Sequence, residues 1–494
     1  TGEDTLSLHD ALPISPEMYR GDFRNWVDQN NRAIAVYDPS TTRANPNGTG
    51  SVRDAFPGNQ IPVSRFAATA AAIAGFGSSI APNRGFSAGT SNFVRNNYLV
   101  SGGTMVTPTD KYSLKADQVI GSKQRLGFLW NMTTYRGTPG PAGAPGLPEP
   151  LWNGQIQAWD TDAFRVTHDY TISSSMVNHF SLAWNGFIKN SYSANVDKNW
   201  KDKVCIKNVV DCNQNFPVIN FTEFSPWGSA SYNGTDQPGW GLKNDLSYIR
   251  GSHTLKFGYE LIRTRYNGTA GSLPGGTYNF TGTNQPFTPN TGIGFANFLL
   301  GTVGSAVYTQ EFASWLPRWW SHQWYAQTDY KPVRNLTLNL GVRWSYESPF
   351  GTKYGQQSQF DPNVKDPISG LMGAITHPKG ALAKKDLNNF APRVGLAWNF
   401  HPSMVFRGSY GIVHQDIFAT GANILFQEYL ANATIQSPVG DPRHVFRLSQ
   451  GPPAFQYDRQ ADGSVPFIGS NFAGRGANWW DPNMRMPYVQ SWSA

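Results

Sequence analysis

The clearest catalytic spacing in the sequence is Gly85-Phe86-Ser87-Ala88-Gly89, which matches the GxSxG pattern of a nucleophile elbow. In that motif a sharp turn between a buried strand and a helix exposes the serine hydroxyl. The preceding Pro82-Asn83-Arg84 is not typical of a buried strand. The pattern therefore predicts a Gly/Ser loop without nucleophilic chemistry.

A second candidate is the pair Asp160 and Asp162 beside Trp159, which resembles a glycosidase acid pair next to a sugar platform. Glycosidases need two carboxyl groups that flank one bond. The spacing of two residues puts both carboxylates on one strand face, and the sequence identifies no partner for them. We therefore predict that the chain is not an enzyme and has no catalytic residues.

The histidine and cysteine spacings are not typical of a metal site. The 9 histidines include no HExxH motif, and His322 and His414 fall within strand patterns, where a wall position explains them. Cys205 and Cys212 lie seven positions apart in a polar segment. A loop disulfide in an oxidising compartment is favoured over a metal site there, and no cofactor is predicted.

The composition indicates an aromatic, turn-rich, all-β chain. Charged residues make up only 15% of the 494 residues and aromatics 14%, with 50 Gly, 34 Pro and 17 Trp, unlike helical globular proteins. The net charge of +7 is spread singly along the chain, so nucleic acid is not an expected partner. No run approaches the roughly 20 apolar residues of a membrane-spanning helix, and the Ala-rich residues 66–76 predict one short helix.

The best-defined element is the segment Leu336–Glu347, in which apolar and polar residues alternate without a break. The apolar set is Leu336, Leu338, Leu340, Val342, Trp344 and Tyr346. A period of two over this length predicts a strand with one apolar face. The segment exceeds the five or six residues usual in soluble sheets and matches the roughly 9 to 11 tilted residues that cross a bilayer.

The same alternation recurs in hairpins with short turns. Residues 322–330 precede the strand at 336–347, and further pairs are predicted at 241–249 with 254–263, 394–400 with 405–414, 111–136 around 121–123, and 164–184 around 173–175. About ten strands result. Residues 490–494 look like the start of another strand.

The connections between the predicted strands alternate between short and long. The long ones, at residues 138–154, 190–239, 264–317 and 348–389, are rich in Gly, Pro, Asn and Ser. Soluble domains rarely contain unstructured loops longer than about 12 to 15 residues, whereas outer-membrane barrels have tight periplasmic turns and long extracellular loops. The sequence therefore predicts a transmembrane antiparallel β-barrel in the bacterial outer membrane.

Two sets of side chains are candidate functional residues of such a barrel. Polar residues on the well-patterned strands are predicted to face the lumen, where they would contact a plug or a ligand; they are Lys256, Glu260, Asn339, Arg343, Glu347 and Arg393. Aromatic residues in the loops are predicted ligand contacts, with interfacial anchoring or loop packing as the alternative; they are Trp227, Trp315, Trp319 and Trp320.

Several short strings, in this order and spacing, resemble one known family. They are residues 56–62 (FPGNQIP), 253–258 (HTLKFG), 295–301 (FANFLLG), 325–327 (YAQ), 335–341 (NLTLNLG), 389–395 (NFAPRVG), 407–411 (RGSYG) and 487–490 (PYVQ). They are similar to the Oar-like TonB-dependent receptors common in acidobacteria. Together they cover nearly everything from residue 18 onward.

The resemblance implies a signal peptide, a carboxypeptidase-regulatory-like domain and a plug upstream of a barrel of about twenty-two strands. We expect residues 16–494 to be a partial barrel that lacks these segments and the C-terminal strands. Residues 1–15 have no basic region followed by an apolar run, so they are not a signal peptide. They resemble the translated read-through of a sequencing-library adapter.

The family resemblance also implies a function. It is that of an outer-membrane receptor that imports a bulky substrate such as an oligosaccharide, a peptide or a metal chelate. Its partners would be outer-membrane lipid, the substrate and, through the missing N-terminal part, the inner-membrane TonB energy-coupling complex. Two alternatives stay open: an outer-membrane adhesion or surface-assembly barrel, and a secreted β-sandwich carbohydrate-binding protein.

Overall fold

One large antiparallel sheet dominates the structure. The computed structural model describes residues 10–11, 14–95, 97–99, 107–137, 147–152, 154–193, 195–196, 198–209, 215–229, 232–269, 275–280, 293–367, 370–415, 428–436, 444–453, 460–461, 464 and 478–494. Within these residues the sheet has fourteen strands, eleven of which lie side by side in chain order. Each of the eleven is antiparallel to the next, so the sheet is a meander of hairpins.

The first ten of these strands are each long enough to cross a bilayer, and the last one is short. They are β1 (Thr109–Ile120), β2 (Gln124–Arg136), β3 (Gln155–Ser173), β4 (Met176–Ser193), β5 (Gly239–Arg250), β6 (His253–Arg265), β7 (Pro317–Val333), β8 (Leu336–Glu347), β9 (Phe390–His401), β10 (Met404–His414) and β11 (Tyr488–Ser493). Three short strands, Tyr232–Asp236, Asn267–Thr269 and Gly351–Thr352, extend the sheet where the long loops begin.

The strand predictions are confirmed, with longer bounds in several places. All ten predicted strands are present, β8 has the predicted bounds, and β11 forms where residues 490–494 indicated a strand. Strands β3 and β4 reach 19 and 18 residues. Strand β7 runs past Tyr330 through a register shift to Val333, so Pro332 lies inside the strand rather than in the turn.

The sheet has an apolar face and a polar face. Ladder partners in neighbouring strands share a face, so Phe128, Val166, Leu182, Leu242 and Leu261 form one apolar row across β2 to β6. Large side chains on this face are exposed, for example Val342 at 44% and Val394 at 49%. An apolar surface of this extent is not typical of a water-soluble monomer, and it requires an apolar surrounding.

Aromatic side chains mark both ends of the apolar face. Tyr170, Tyr248 and Tyr330 lie near the short turns. Towards the long loops, Trp130, Phe164, Trp184, Trp240, Arg263 and Trp320 are successive ladder partners across β2 to β7. Aromatic girdles of this kind occur at the two interfaces of membrane-spanning barrels. The height of the apolar face between them fits a bilayer.

The long connections are not irregular throughout, which corrects the expectation of unstructured loops. The segment before β1 contains the helices α1 (Ala68–Gly75) and α2 (Ser91–Arg95) and the 3-10 turns Met18–Arg20, Pro39–Thr41, Pro57–Asn59 and Val63–Arg65. The long connections contain short strands and the helices α3 (Lys201–Val204) and α4 (Gly294–Leu299). Helix α1 confirms the predicted short helix. In the described residues no helix is long and apolar enough to cross a membrane.

The remaining short strands pair with one another outside the large sheet. Val218–Phe221, Thr277–Phe280, Ser305–Glu311 and Leu430–Gln436 form a four-stranded sheet, and two-stranded pairs join Asp10–Ala11 with Tyr98–Leu99, Arg43–Ala44 with Ser51–Val52, Thr302–Val303 with Phe446–Arg447, and Gln359–Lys365 with Met372–Thr376. The strand at 10–11 falls within residues 1–15, whose foreign origin stays a prediction.

A hydrophobic core lies outside the large sheet, in the segment before β1 and in the long connections. We call it the loop body; it consists of the described residues of 14–80, 147–151, 200–227, 278–308 and 446–448. Its centre is aromatic, with the ring of Phe221 5.1 Å from that of Trp227 and 5.6 Å from that of Phe298. The segment before β1 and several of the long connections therefore pack into one folded unit.

The string at residues 56–62 has a structural role in the loop body. Asn59 has a φ of 59°, a left-handed conformation that asparagine tolerates better than most residues. Its side chain accepts a hydrogen bond from the Val36 N–H at 2.7 Å and donates to the carbonyls of Phe23 at 2.9 Å and Ile34 at 2.8 Å. One amide thus joins three chain segments.

The two faces predict opposite responses to a new charge. We expect Val342→Arg, on the apolar face of β8, to lower the stability of the membrane-inserted protein by about 2–4 kcal/mol, because an arginine near the bilayer centre must be desolvated. Asn339→Arg, on the polar face of the same strand, is the control and should be tolerated. Unfolding in lipid vesicles measures both, and equal losses would contradict the assignment of the faces.

An ion pair in the loop body predicts a dependence on pH. Burial alone would raise the pKa of Asp38, but hydrogen bonds from Arg65 and Ser40 lower it from 3.8 to about 2. The Asp38–Arg65 pair, at 2.8 Å, therefore stabilises the loop body above pH 3.8, and this contribution is lost as pH falls towards 2.

The variant Asp38→Asn should lose about 1 kcal/mol of stability at neutral pH and differ little from the parent near pH 2. Tryptophan fluorescence during unfolding reports on this region, because Trp26, Trp200 and Trp227 are buried in it. Asp54→Asn is the control, since the Asp54–Arg43 pair is more than half exposed. A pH-independent difference for Asp38→Asn would refute the prediction.

Candidate functional site

The six predicted lumen residues lie together on the polar face. The ladder places Lys256 beside Gln327, Gln327 beside Gly341, and Gly341 beside Arg393. Four residues further along β6, Glu260 lies beside Gln323, and Glu347 lies opposite Ser321. Asn339 and Arg343 flank Gly341 on the same face of β8. The strand pairing places all six residues on one face of the sheet. That this face lines a lumen remains a prediction.

Ion pairs across strands involve three of these six side chains. Arg343 Nη2 lies 3.3 Å from Glu260 Oε2, although β7 separates their two strands. Lys256 Nζ lies 3.6 Å from Asp329 Oδ2 on β7. These groups are about one third exposed, so each pair contributes little alone. Together they keep opposite charges matched over β6, β7 and β8.

Tyr325 and Asp245 are the polar-face residues that the sequence interpretation missed. The Tyr325 hydroxyl donates a hydrogen bond to Asp245 Oδ1 at 2.6 Å, and Lys243 Nζ lies 3.0 Å from Asp245 Oδ2. The Tyr325 ring lies over Gly258, where an added Cβ would be 2.1 Å from a ring carbon. Both residues occupy positions on the polar face of their strands. The alternation of apolar and polar residues along these strands could therefore have identified them.

Arg393 differs from the other cations of the polar face. It makes no hydrogen bond or ion pair with any part of the chain that the structure describes. It lines three depressions of about 410, 260 and 220 Å³, which also involve Asn339, Arg343 and Ser409. Gly341 and Gly411 are its ladder partners, and the absence of side chains there leaves room around the guanidinium.

The loop end of the polar face is covered. Glu347 is only 4% exposed, and Ser193, Ser321 and Ser345 at the same end of their strands are also buried. Further along the strands, towards the short turns, Asn339 and Arg393 are exposed. The long connections therefore fold over one end of this face and leave its middle open.

The four predicted tryptophan contacts divide into two groups. Trp227 and Trp315 are fully buried among other aromatic rings, which agrees with loop packing, the alternative given for them. Trp319 packs against the small core around Trp315, and Trp320 lies on the apolar face, with its ring 5.3 Å from that of Trp240. The large exposed aromatic side chains of the long loops include Tyr354 at 64% and Trp479 at 51%.

The other chemical candidates have structural roles. Asp160 pairs with Arg136 at 2.5 Å, and Asp162 accepts a hydrogen bond from Trp130 Nε1 at 2.7 Å. Residues 85–89 form a loop with no strand directly before them. Among the described residues no group of three or more His, Cys, Asp or Glu could hold a metal ion.

Two histidines and two cysteines were also given structural roles from the sequence. His322 contacts the Tyr259 hydroxyl at 2.9 Å on the apolar face, and His414 lies in β10. Both are wall positions, as predicted. Cys205 follows α3, whereas Cys212 lies outside the described residues, so their disulfide stays a prediction.

Comparisons with known proteins agree with a membrane-spanning barrel wall. A model of the family described as "Outer membrane beta barrel domain" matches residues 6–494. The chain belongs to this family and is located in the bacterial outer membrane, so its apolar face contacts lipid. The alternative of a secreted β-sandwich is therefore wrong.

Solved structures with a similar arrangement are outer-membrane transporters and receptors. They include the transporter YddB from Escherichia coli (TM-score 0.42, 10% identity, 71% of this chain and 40% of that chain), and FpvA from P. aeruginosa, solved bound to heterologous pyoverdines (TM-score 0.38, 11% identity, 66% and 38%). The chain thus spans about two fifths of their length. The search of curated proteins found no match.

The charge network predicts different effects for two arginines of the polar face. Arg343→Ala removes the partner of Glu260 and should lower stability by about 1 kcal/mol. Arg393→Ala removes no pair, so its effect should stay within about 0.5 kcal/mol. Denaturant unfolding of the folded protein in detergent micelles measures both. Equal losses would show that the Arg343–Glu260 pair contributes nothing measurable.

Proposed function

We propose that the complete protein is a non-catalytic outer-membrane receptor that imports a bulky substrate. The observation that supports this most directly is the polar face, where paired charges, cavities and glycines replace the hydrophobic packing of a filled core. Such a surface suits an aqueous lumen or a polar plug. The covered loop end and open middle suit a path that begins among the loops.

The exposed chemistry of the loops is compatible with three classes of substrate. Tyr354 and Trp479 offer exposed aromatic rings for stacking against a sugar ring, a peptide side chain or an aromatic chelator. Buried Trp227 and Trp315 have no such access in this structure. An oligosaccharide, a peptide and a metal chelate are therefore the substrates we propose to test.

Energy coupling rests on the family resemblance and not on the described residues. In an Oar-like TonB-dependent receptor, a plug upstream of the barrel closes the lumen, and an inner-membrane TonB complex displaces it. The polar side chains around Arg343 and Arg393 would then contact the plug. Structural support of a plug is the role we propose for most of them, with Arg393 free to contact the substrate or the plug.

An adhesion or surface-assembly role is the second candidate, and one observation favours it. The loop body has its own buried aromatic core, so it presents a folded surface and not only separate loops. A folded outer surface could hold another macromolecule without transport. Import and adhesion differ in their need for energy, which gives a direct test.

The test uses the full-length protein, expressed with its own signal sequence in two outer-membrane hosts, one with an inactivated inner-membrane TonB complex. Each host receives a labelled oligosaccharide, oligopeptide and ferric chelate. We expect one class to accumulate in the energised host only. Accumulation that ignores the TonB complex would refute coupled import, and surface binding without accumulation would favour adhesion.

Two loop variants test where the substrate first binds. Tyr354→Ala and Trp479→Ala should each weaken surface binding about three- to tenfold, because each loses one stacking contact. Leu371→Ala, at a loop position that is 70% exposed, is the matched control and should bind normally. Unchanged binding in both aromatic variants would move the first contact elsewhere.

A further inference from the structure

Three arginines lie close together on the apolar face, at its loop end. Arg265 on β6 is the direct ladder partner of Arg318 on β7, and Arg263 is the partner of Trp320. Residues two apart in a strand share a face, so Arg263, Arg265 and Arg318 share the lipid-facing side. We call this set the arginine cluster.

Two tryptophans enclose the cluster on one side. Trp240 and Trp320 are the ladder partners of Arg263 in the two neighbouring strands. The Arg263 guanidinium lies over the Trp320 ring at 4.7 Å from its centroid, and the Trp240 and Trp320 rings are 5.3 Å apart. Arg263 is therefore held beside two rings of the aromatic row.

The three positive charges of the cluster are not balanced within the described residues, because Asp236 is the one carboxylate there that attracts Arg318. Arg263 and Arg265 form no ion pair within the part of the chain that the structure describes, and Arg265 Nε is buried without a hydrogen-bond partner. Like charges directly across a ladder destabilise a sheet. Asp236 attracts Arg318 and also accepts a hydrogen bond from Asn267 at 2.8 Å, so one negative charge faces three positive ones. An external anion would relieve the repulsion.

Arg318 has a different role from the other two arginines. Its Nη1 donates to the carbonyls of Tyr266 at 2.6 Å and Pro317 at 2.7 Å, and its Nη2 donates to Asn267. These bonds fix Arg318 to the backbone where β6 and β7 enter their loops. Arg318 therefore supplies fixed positive charge, while Arg263 and Arg265 have donors left for a ligand.

The cluster lies at the level of the lipid headgroups. Arg263 is ten residues beyond His253, which follows the short turn between β5 and β6. At about 3.4 Å per residue and a tilt near 45°, this separation rises about 24 Å, close to the roughly 25 Å height of the apolar band of a barrel. Since short turns are periplasmic, the cluster faces the outer leaflet.

We propose that the arginine cluster binds a phosphate group on the headgroup of an outer-leaflet glycolipid. Arginine is suited to phosphate because its planar donors bind two oxygens at once. A lipid fits better than a free anion, because Trp240 and Trp320 border the site and the apolar side chains below it, such as Leu261, would contact the acyl chains. This site does not depend on the proposed transport function.

The test uses the purified full-length protein in bilayer nanodiscs of neutral phosphatidylcholine. A small fraction of either diphosphoryl lipid A or its dephosphorylated form is added, and the temperature at which the heat-resistant folded band is lost on a gel is measured. We expect a higher temperature with the phosphorylated lipid only. Equal temperatures with the two lipids would overturn the proposal without the need for any variant.

The double variant Arg263→Gln/Arg265→Gln locates the site and leaves the backbone contacts of Arg318 intact. It should lose the phosphate-dependent shift and bind the lipid about tenfold more weakly or worse. Arg250→Gln is the matched control, because Arg250 is an exposed, lipid-facing arginine at the turn end of β5. A full shift in the double variant would overturn the proposal.

A third arm separates a lipid from a free anion. Inorganic phosphate at millimolar concentration is added to nanodiscs that contain neutral lipid alone. We expect no shift, because the free ion lacks acyl chains to hold it at the membrane surface. A shift equal to that of diphosphoryl lipid A would show a site for soluble anions and would refute the lipid as its occupant.

Discussion

The structure depends on one constraint: inside hydrocarbon, every backbone N–H and C=O must find a partner within the protein. A meander of antiparallel strands meets this requirement, since each strand from β2 to β10 pairs on both sides. The alternation of side chains then separates a face for lipid from a face for polar contacts. Irregular chain is confined to the ends of the strands, where water can bind the backbone.

The strands of the sheet could be predicted from the sequence because the alternation of apolar and polar residues is visible within each strand. Strand β8 has the predicted bounds, since Leu336 to Glu347 alternate without interruption. The loop body could not be predicted, because Phe23, Phe221 and Phe298 belong to one core although no periodic pattern links them. For the same reason the sequence left two roles open for Trp227 and Trp315: a tryptophan in a Gly- and Pro-rich segment carries no local pattern that indicates whether it is buried.

The candidate site was predictable as a surface but not as a set of contacts. The alternation of side chains along each strand predicted that Lys256, Glu260 and Arg343 lie on the polar face. The contact of Arg343 with Glu260 across β7 could not be predicted, because it depends on how the three strands are aligned. The arginine cluster was missed because Arg265 and Arg318 are far apart in the chain and meet only in the ladder. The face on which a residue lies can be read from its own strand, whereas the alignment of neighbouring strands cannot.

The loop body also has a consequence for the order of assembly. Its hydrogen bonds join Ala67 to Leu299, and Gly301 to Leu448, each at 2.8 Å. All of β1 to β10 lie between Ala67 and Leu448 in the chain. Contacts of such long sequence separation form late, so these aromatic segments remain unpacked, and prone to aggregate, until their hairpins are in place. A completed loop body therefore requires that chain segments on both sides of β1 to β10 have come together.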